Sequence, residues 1–220
     1  MTSLLGRIKN AMFSHEENIF RIKYGPFCDI RLHGIPAENA QVMFGLWERE
    51  TYAFIRSISA STSWVVDVGA GRGELILYFA LKTISAPLYA IDANSFEIEK
   101  LVNNLRLNGV DESRVFTLCE FVGKDAVTLD SLSLVGPRGF LKIDVEGAEL
   151  QVLESGLKML ETSKPRILLE THSAELEREC LSLLKFFGYQ TRVIKNAKWR
   201  CVVPERRPTI HNRWLSAVND

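Results

Sequence analysis

Apolar and polar positions along this chain fall into short segments that alternate between strand-like and helix-like patterning. The run Trp64-Val65-Val66 reaches an acid at Asp67, passes glycines at 69, 71 and 73, and opens into the apolar-rich LILYFAL. That pattern predicts a buried strand, a tight turn and a helix start. Leu88 to Ile91 reads as the next strand, followed by a helix carrying Ile98, Leu101, Val102 and Leu105, capped by Asn94 or Ser95 and stopping at Gly109. Val115 to Leu118 is a third strand, and Val127 to Leu132 leads through the turn Gly136-Pro137-Arg138-Gly139 into a fourth. A helix starting at Gly147 bears Leu150, Val152, Leu153 and Leu157, and Arg166 to Leu169 is another strand. Ser173 then caps a helix with Leu176, Cys180, Leu183 and Phe187 up to Gly188. Strands alternating with helices predict an α/β fold with a mostly parallel sheet covered on both faces. Tyr189 to Ile194, Trp199 to Val203 and Arg213 to Val218 read as closing strands, with an antiparallel strand at the C-terminal edge.

Residues 1–60 read as an extension packing on a core of residues 61–220, within one globular domain. Leu4, Leu5, Ile8, Met12 and Phe13 recur at helical spacing. Phe20 to Lys23 and Cys28 to Leu32 read as two strands around Tyr24-Gly25-Pro26, and Glu38 to about Ser57 carries a helical stripe of Val42, Met43, Leu46, Trp47, Phe54 and Ile58. A helix just before the central strand commonly covers the cofactor cleft, so Trp47, Glu48 and Tyr52 could face substrate, with core or surface positions preferred.

Composition narrows the class. With 46% hydrophobic and 25% charged residues the 220-residue chain can bury a full core. Lys plus Arg and Asp plus Glu both total 27, so the global basic excess of a nucleic-acid binder is missing. Cys28, Cys119, Cys180 and Cys201 are scattered with no CxxC pair and read as reduced, buried residues, which points to a cytoplasmic protein. No apolar run approaches the roughly 18 residues of a membrane span, and the N-terminus lacks a signal-peptide core.

The glycine turn carries the first candidate chemistry. A dinucleotide fingerprint needs Gly-x-Gly-x-x-Gly; here the third glycine comes one position early and Glu74 stands where it should be, beside a pyrophosphate it would repel. Asp-x-Gly-x-Gly instead resembles the first motif of Rossmann-like methyltransferases, where the turn passes under the amino-acid moiety of S-adenosylmethionine. The cofactor residues expected are Asp67, Gly69, Ala70, Gly71 and Gly73, then Asp92 and Ala93. Asp92 lies at the end of the next strand, where an acid can accept hydrogen bonds from both ribose hydroxyls. Glu120 or Asp125 would meet the adenine amino group, with Glu120 preferred.

The second informative stretch is GFLKIDVEGAELQVLESG, residues 139–156. Alternate strand residues share a face, so Lys142, Asp144 and Glu146 are expected to point one way, at the carboxyl end where ligands of open α/β sheets bind. Glu170 and His172 end the following strand two residues apart. A histidine near neutral pKa can take a proton from a hydroxyl. Asp144, Glu170 and His172 are also a candidate set for a Mg²⁺-type divalent cation. The C-terminal Arg192, Lys195, Lys198, Arg200, Arg206, Arg207 and Arg213 form a locally basic stretch that could meet an anionic acceptor or RNA, or simply face solvent.

VVDVGAGRGE, the VTLDSL run, LKIDVEGAELQVLESG and RILLETH together resemble the FkbM family of S-adenosylmethionine-dependent methyltransferases, in family order over roughly residues 48–220. The resemblance implies a class I, Rossmann-like three-layer α/β/α sandwich. It also implies O-methylation of a hydroxyl on a sugar, polyketide or other small metabolite. On that reading Asp144, Glu170 and His172 lie near the acceptor, with His172 as base and Lys142 or Glu146 orienting. Two departures stand out: the segment between Leu118 and Val127 is shorter than the family commonly shows, and the part before Glu38 lacks a family signature. A nucleic-acid or protein methyltransferase, and a protein that binds the cofactor without chemistry, are the alternatives. No Asn-Pro-Pro-Tyr string presents a flipped-out base, so nucleic acid ranks below a metabolite.

Overall fold

The computed structural model describes residues 12–58, 62–82, 86–197, 200 and 211–219. Its centre is a seven-stranded sheet ordered β5-β4-β3-β6-β7-β9-β8. The strands are β3 (Val65–Val68), β4 (Leu88–Ile91), β5 (Val115–Leu118), β6 (Phe140–Ile143), β7 (Arg166–Thr171), β8 (Gln190–Ile194) and β9 (Arg213–Val218). The first five pair in parallel, and β9 runs antiparallel to both β7 and β8. The antiparallel strand expected at the edge thus sits one place in, leaving β8 outermost. β9 is the better buried of the two, with Trp214, Leu215 and Ala217 in the core, so its side chains favour the inner place.

Strand alternation sorts the core into two layers. Val65, Leu88, Ala90, Phe140, Leu168 and Trp214 face one side, where helices α3 (Glu74–Lys82) and α4 (Ser95–Leu107) pack; Val66, Val68, Ile91, Leu141, Ile143 and Leu169 face α5 (Glu149–Glu154), α6 (Leu157–Thr162) and α7 (Ala174–Phe186). Asn94 caps α4 by accepting from the Phe96 amide, and Ser173 caps α7 by accepting from the Leu176 amide. Asp130, in the VTLDSL run, caps α6 by accepting from the amides of Lys158 and Met159 at 3.0 and 2.8 Å.

The N-terminal strands β1 (Asn18–Arg21) and β2 (Arg31–Gly34) pair as an antiparallel hairpin lying farther apart along the chain than the apolar runs suggested. Phe20, Ile22, Ile30 and Leu32 enter the same core layer as α3 and α4. The expected helix over 38–57 is broken into α1 (Ala40–Met43) and α2 (Tyr52–Ser57). Gly45 at φ +60° and Glu48 at φ +50° take left-handed conformations that no continuous helix contains. Leu4, Leu5 and Ile8, and the Trp199 to Val203 strand apart from Arg200, lie outside the described residues. Among the described residues no helix is long and apolar enough to cross a membrane.

Asn104 of α4 joins hairpin, helix and glycine turn. Fully buried, it accepts from the His33 amide at 2.9 Å and donates to the Arg72 carbonyl at 3.0 Å. Asn104→Ala leaves both backbone groups unsatisfied and is expected to cost about 1–3 kcal/mol. Urea unfolding checks this, and an unchanged midpoint would refute the linking role.

Candidate active site

Asp67 and Lys142 are register partners on the adjacent parallel strands β3 and β6. Partners in register share a face, so the two side chains meet. Lys142 Nζ lies 3.1 Å from Asp67 Oδ1, 3.2 Å from the Gly69 carbonyl oxygen to which it donates, and 3.6 Å from Asp144 Oδ2. The ammonium also lies 6.0 Å from the ring centroid of Trp214. Asp67 is 1% exposed. Burial pushes its carboxyl up to about 6 against the pull of Lys142. Burial works against the Lys142 ammonium in turn, yet Asp67, Asp144 and Glu48 outweigh it and raise its pKa, so the charge on Lys142 persists.

The turn after β3 is pinned to its other neighbour. The Gly69 and Ala70 amides donate to the Ile91 carbonyl, and the Gly71 amide donates to Asp92 Oδ2 at 2.9 Å. Asp92 Oδ1 accepts from the Asn94 amide at 2.9 Å, so this carboxylate organises both the turn and the start of α4. Gly69 has φ +76°, and a Cβ there would lie 1.8 Å from the Asp144 carbonyl oxygen; only glycine lets β3 and β6 approach so closely. At Gly71, φ +51°, a Cβ would meet nothing within 4 Å, so the backbone there borders open space.

That space is a cavity of about 350 Å³. Its floor includes Asp67, Gly69, Ala70, Gly71, Lys142 and Asp144. Its opposite wall comes from the N-terminal segment: Ile22, Phe27, Val42, Trp47, Glu48 and Tyr52. Trp47, Glu48 and Tyr52 therefore line the cavity, and the break between α1 and α2 is what turns Trp47 and Glu48 inward. Both amide and hydroxyl of Thr51 donate to the Glu48 carbonyl, at 2.9 and 2.8 Å, fixing that break.

Behind Asp144 lies an acid-rich corner at the ends of β6 and β7. His172 Nδ1 is hydrogen-bonded to Glu149 Oε1, while Nε2 lies 3.8 Å from Glu170 Oε2 and 4.0 Å from Asp144 Oδ1. Burial works against the imidazolium, but the Glu149 hydrogen bond and the charges of Glu149, Asp144 and Glu146 outweigh it and raise the pKa above its ordinary value.

Of the residues singled out in the sequence, Asp67, Gly69, Ala70, Gly71, Lys142 and Asp144 come together on the cavity, and Glu170 and His172 stand behind Asp144. Gly73 faces Leu101 instead, and Ala93 and Glu120 are exposed at the ends of β4 and β5. Glu146 is exposed too, and the carboxylate that touches His172 is Glu149, which sequence reasoning missed. Its signal was an acid sharing the buried helical face of Val152 and Leu153. In the basic stretch, Arg200 is paired with the buried Glu50, and Arg213 Nε donates to Glu177 at 2.7 Å. Lys198, Arg206, Arg207 and Cys201 lie outside the described residues. Cys180 is buried, but Cys28 and Cys119 are exposed, contrary to expectation, because both follow turns or strand ends outside the core.

Residues 105–192 match the family model described as Methyltransferase FkbM domain, which bears out the resemblance carried by the motif strings. No curated protein sequence matches the chain. Among solved structures, the methyltransferase FkbM from Methylobacillus flagellatus KT is similar at 19% identity and a TM-score of 0.56, covering 71% of this chain and 43% of that one. TYW2 of M. jannaschii, solved in complex with AdoMet, is similar at 19% identity and 0.56, covering 91% and 84%. A SAM-dependent O-methyltransferase from Thermotoga maritima gives 15% identity and 0.55, covering 92% and 77%. At these identities the likenesses establish a Rossmann-like methyltransferase fold.

Lys142→Met would strand the Asp67 carboxylate without its counter-charge, at an expected cost of about 3–5 kcal/mol, part of which Asp67→Asn in the same chain restores. Asp67 already titrates above its ordinary 3.8, and losing the ammonium raises it further. The deficit is therefore largest at neutral and alkaline pH and shrinks as pH falls through the folded value. Urea unfolding of the three proteins across pH measures it, and a pH-independent deficit would contradict the pairing.

Proposed function

We propose that this chain, the carrier of a methyltransferase FkbM domain, transfers the methyl group of S-adenosylmethionine to a hydroxyl of a sugar, polyketide or other small metabolite. The observation that carries this reading is one cavity bordered both by the open glycine turn and by the Asp144 end of β6. Its ionisable lining holds Glu48, Asp67, Glu74, Glu97 and Asp144 against Arg72, Lys100 and Lys142. That excess of carboxylates suits a sulfonium and an ammonium. Asp92 uses lone pairs left beyond its two amide donors to accept the ribose hydroxyls, and Ala93 and Glu120 flank the adenine. The names of the M. jannaschii and T. maritima structures support the choice of cofactor.

Methyl transfer needs alignment more than activation, because the sulfonium is a good leaving group. The acceptor oxygen attacks the methyl carbon as the S–CH3 bond breaks, and its proton passes to the corner of Asp144, Glu170 and His172. Glu149 orients the imidazole there. Lys142 joins the two halves by holding Asp67 and the Gly69 carbonyl with one ammonium and steering Asp144. A divalent cation held by the same three residues would replace that proton acceptor and lower the pKa of the acceptor hydroxyl instead. A small acceptor is favoured over nucleic acid because Arg200 and Arg213 are occupied by Glu50 and Glu177. The free thiols of Cys28, Cys119 and Cys180 suit a cytoplasmic setting.

Calorimetric titration with S-adenosylmethionine, with NAD and ATP as controls, tests the cofactor. Selective binding to wild type is expected, weakened about tenfold in Asp92→Ala, which corresponds to about 1.4 kcal/mol. A folded wild-type protein that binds none of the three would sink the reading.

A further inference from the structure

We infer that the corner of Asp144, Glu170 and His172 is a binding site for one divalent transition-metal ion, of the manganese or zinc class, set against the acceptor side of the cavity. One ligand atom from each residue lies within 4.8 Å of the other two. His172 Nε2 is 3.8 Å from Glu170 Oε2 and 4.0 Å from Asp144 Oδ1. Ligands held about 2.1 Å from one ion lie about 3 Å apart at right angles and about 4.2 Å apart when opposite. The two separations from Nε2 fall inside that window.

Glu149 supplies the independent observation. It is fully buried, its Oε1 holds His172 Nδ1, and its Oε2 has no hydrogen-bond partner among the described residues. Burying a carboxylate is expensive, and this one fixes the imidazole by accepting a hydrogen bond from Nδ1–H, which keeps the proton on Nδ1. Nε2 then presents its lone pair to the two other carboxylates. Metal-bound histidines are commonly held in this way by an outer carboxylate. Asp144 divides its oxygens, with Oδ2 toward Lys142 and Oδ1 toward His172. Lys142 is shared with Asp67, so the corner retains more negative than positive charge, which a divalent ion would balance.

The donor set selects the ion. Carboxylate oxygens suit magnesium, calcium and manganese, whereas an imidazole favours zinc, iron and their neighbours; two carboxylates with one imidazole fall between. Three protein ligands leave further coordination positions open, and Asp144 is the one of the three that also lines the cavity. The site's chemical use rests on the methyl-transfer reading: an ion there would bind the acceptor hydroxyl and lower its pKa. The O–CH3 bond would form as S–CH3 breaks, and the proton would leave to water.

The test uses the full chain, stripped with chelator and checked by circular dichroism. Manganese chloride is titrated with free ion read by electron paramagnetic resonance, and zinc chloride by calorimetry. One ion per chain is expected, weakened at least about tenfold in Glu170→Gln and in Glu149→Gln, and unchanged in the exposed Glu112→Gln. Where Glu170→Gln fails to fold, the partly exposed Asp144→Asn takes its place. Less than one ion per chain, or equal affinity in wild type and all these variants, would overturn the site. S-adenosylmethionine titrated into the same stripped protein separates the two readings: cofactor binding without metal removes only the metal, and metal binding without cofactor removes only the methyltransferase assignment.

Discussion

One ammonium in a parallel register holds this structure's working end together. Asp67 closes the central strand at a depth where a lone carboxylate would give up its charge. β6 brings Lys142 beside it because parallel partners in register present their side chains to the same face. Lys142 then reaches past Asp67 to the Gly69 carbonyl and to Asp144. The backbone repeats the connection, since the Asp144 carbonyl occupies the space a side chain at position 69 would need. Displacing either strand end would therefore disturb the glycine turn and the acid-rich corner together.

Much of this was legible because it is local. Strands ending in acids, helices opening on Asn94 and Ser173, and glycines where the chain reverses all follow from neighbours in sequence. The strand rule failed where it was carried too far. Alternation past Ile143 predicted that Glu146 would share a face with Lys142 and Asp144, but β6 ends at Ile143 and Gly147 turns the chain at φ +95°. The carboxylate that reaches His172 is then three residues farther on, in the first turn of a helix. Likewise a stripe of period 3.6 through residues 38–57 cannot reveal that Gly45 and Glu48 adopt left-handed conformations, and those two residues decide what faces the cavity. The insertion of β9 between β7 and β8 depends on pairing across distant segments, which no local pattern encodes.

The family match and the cavity divide the chain differently, and the division bears on specificity. Residues 105–192 contain the whole acid-rich corner but neither the glycine turn nor the wall made by Ile22, Phe27, Trp47, Glu48 and Tyr52. The cavity thus spans the boundary of the matched range, with the corner inside it and the glycine turn outside it. Ile22 and Phe27 of the wall lie in the part before Glu38 that lacks a family signature, and the wall is fastened by contacts of its own. Thr51 holds the Glu48 carbonyl, Glu50 is paired with Arg200, and Asn104 joins the hairpin to the turn. The cavity thus joins a corner inside the matched range to a wall outside it, and a fold of this kind can keep one site while the residues facing it vary.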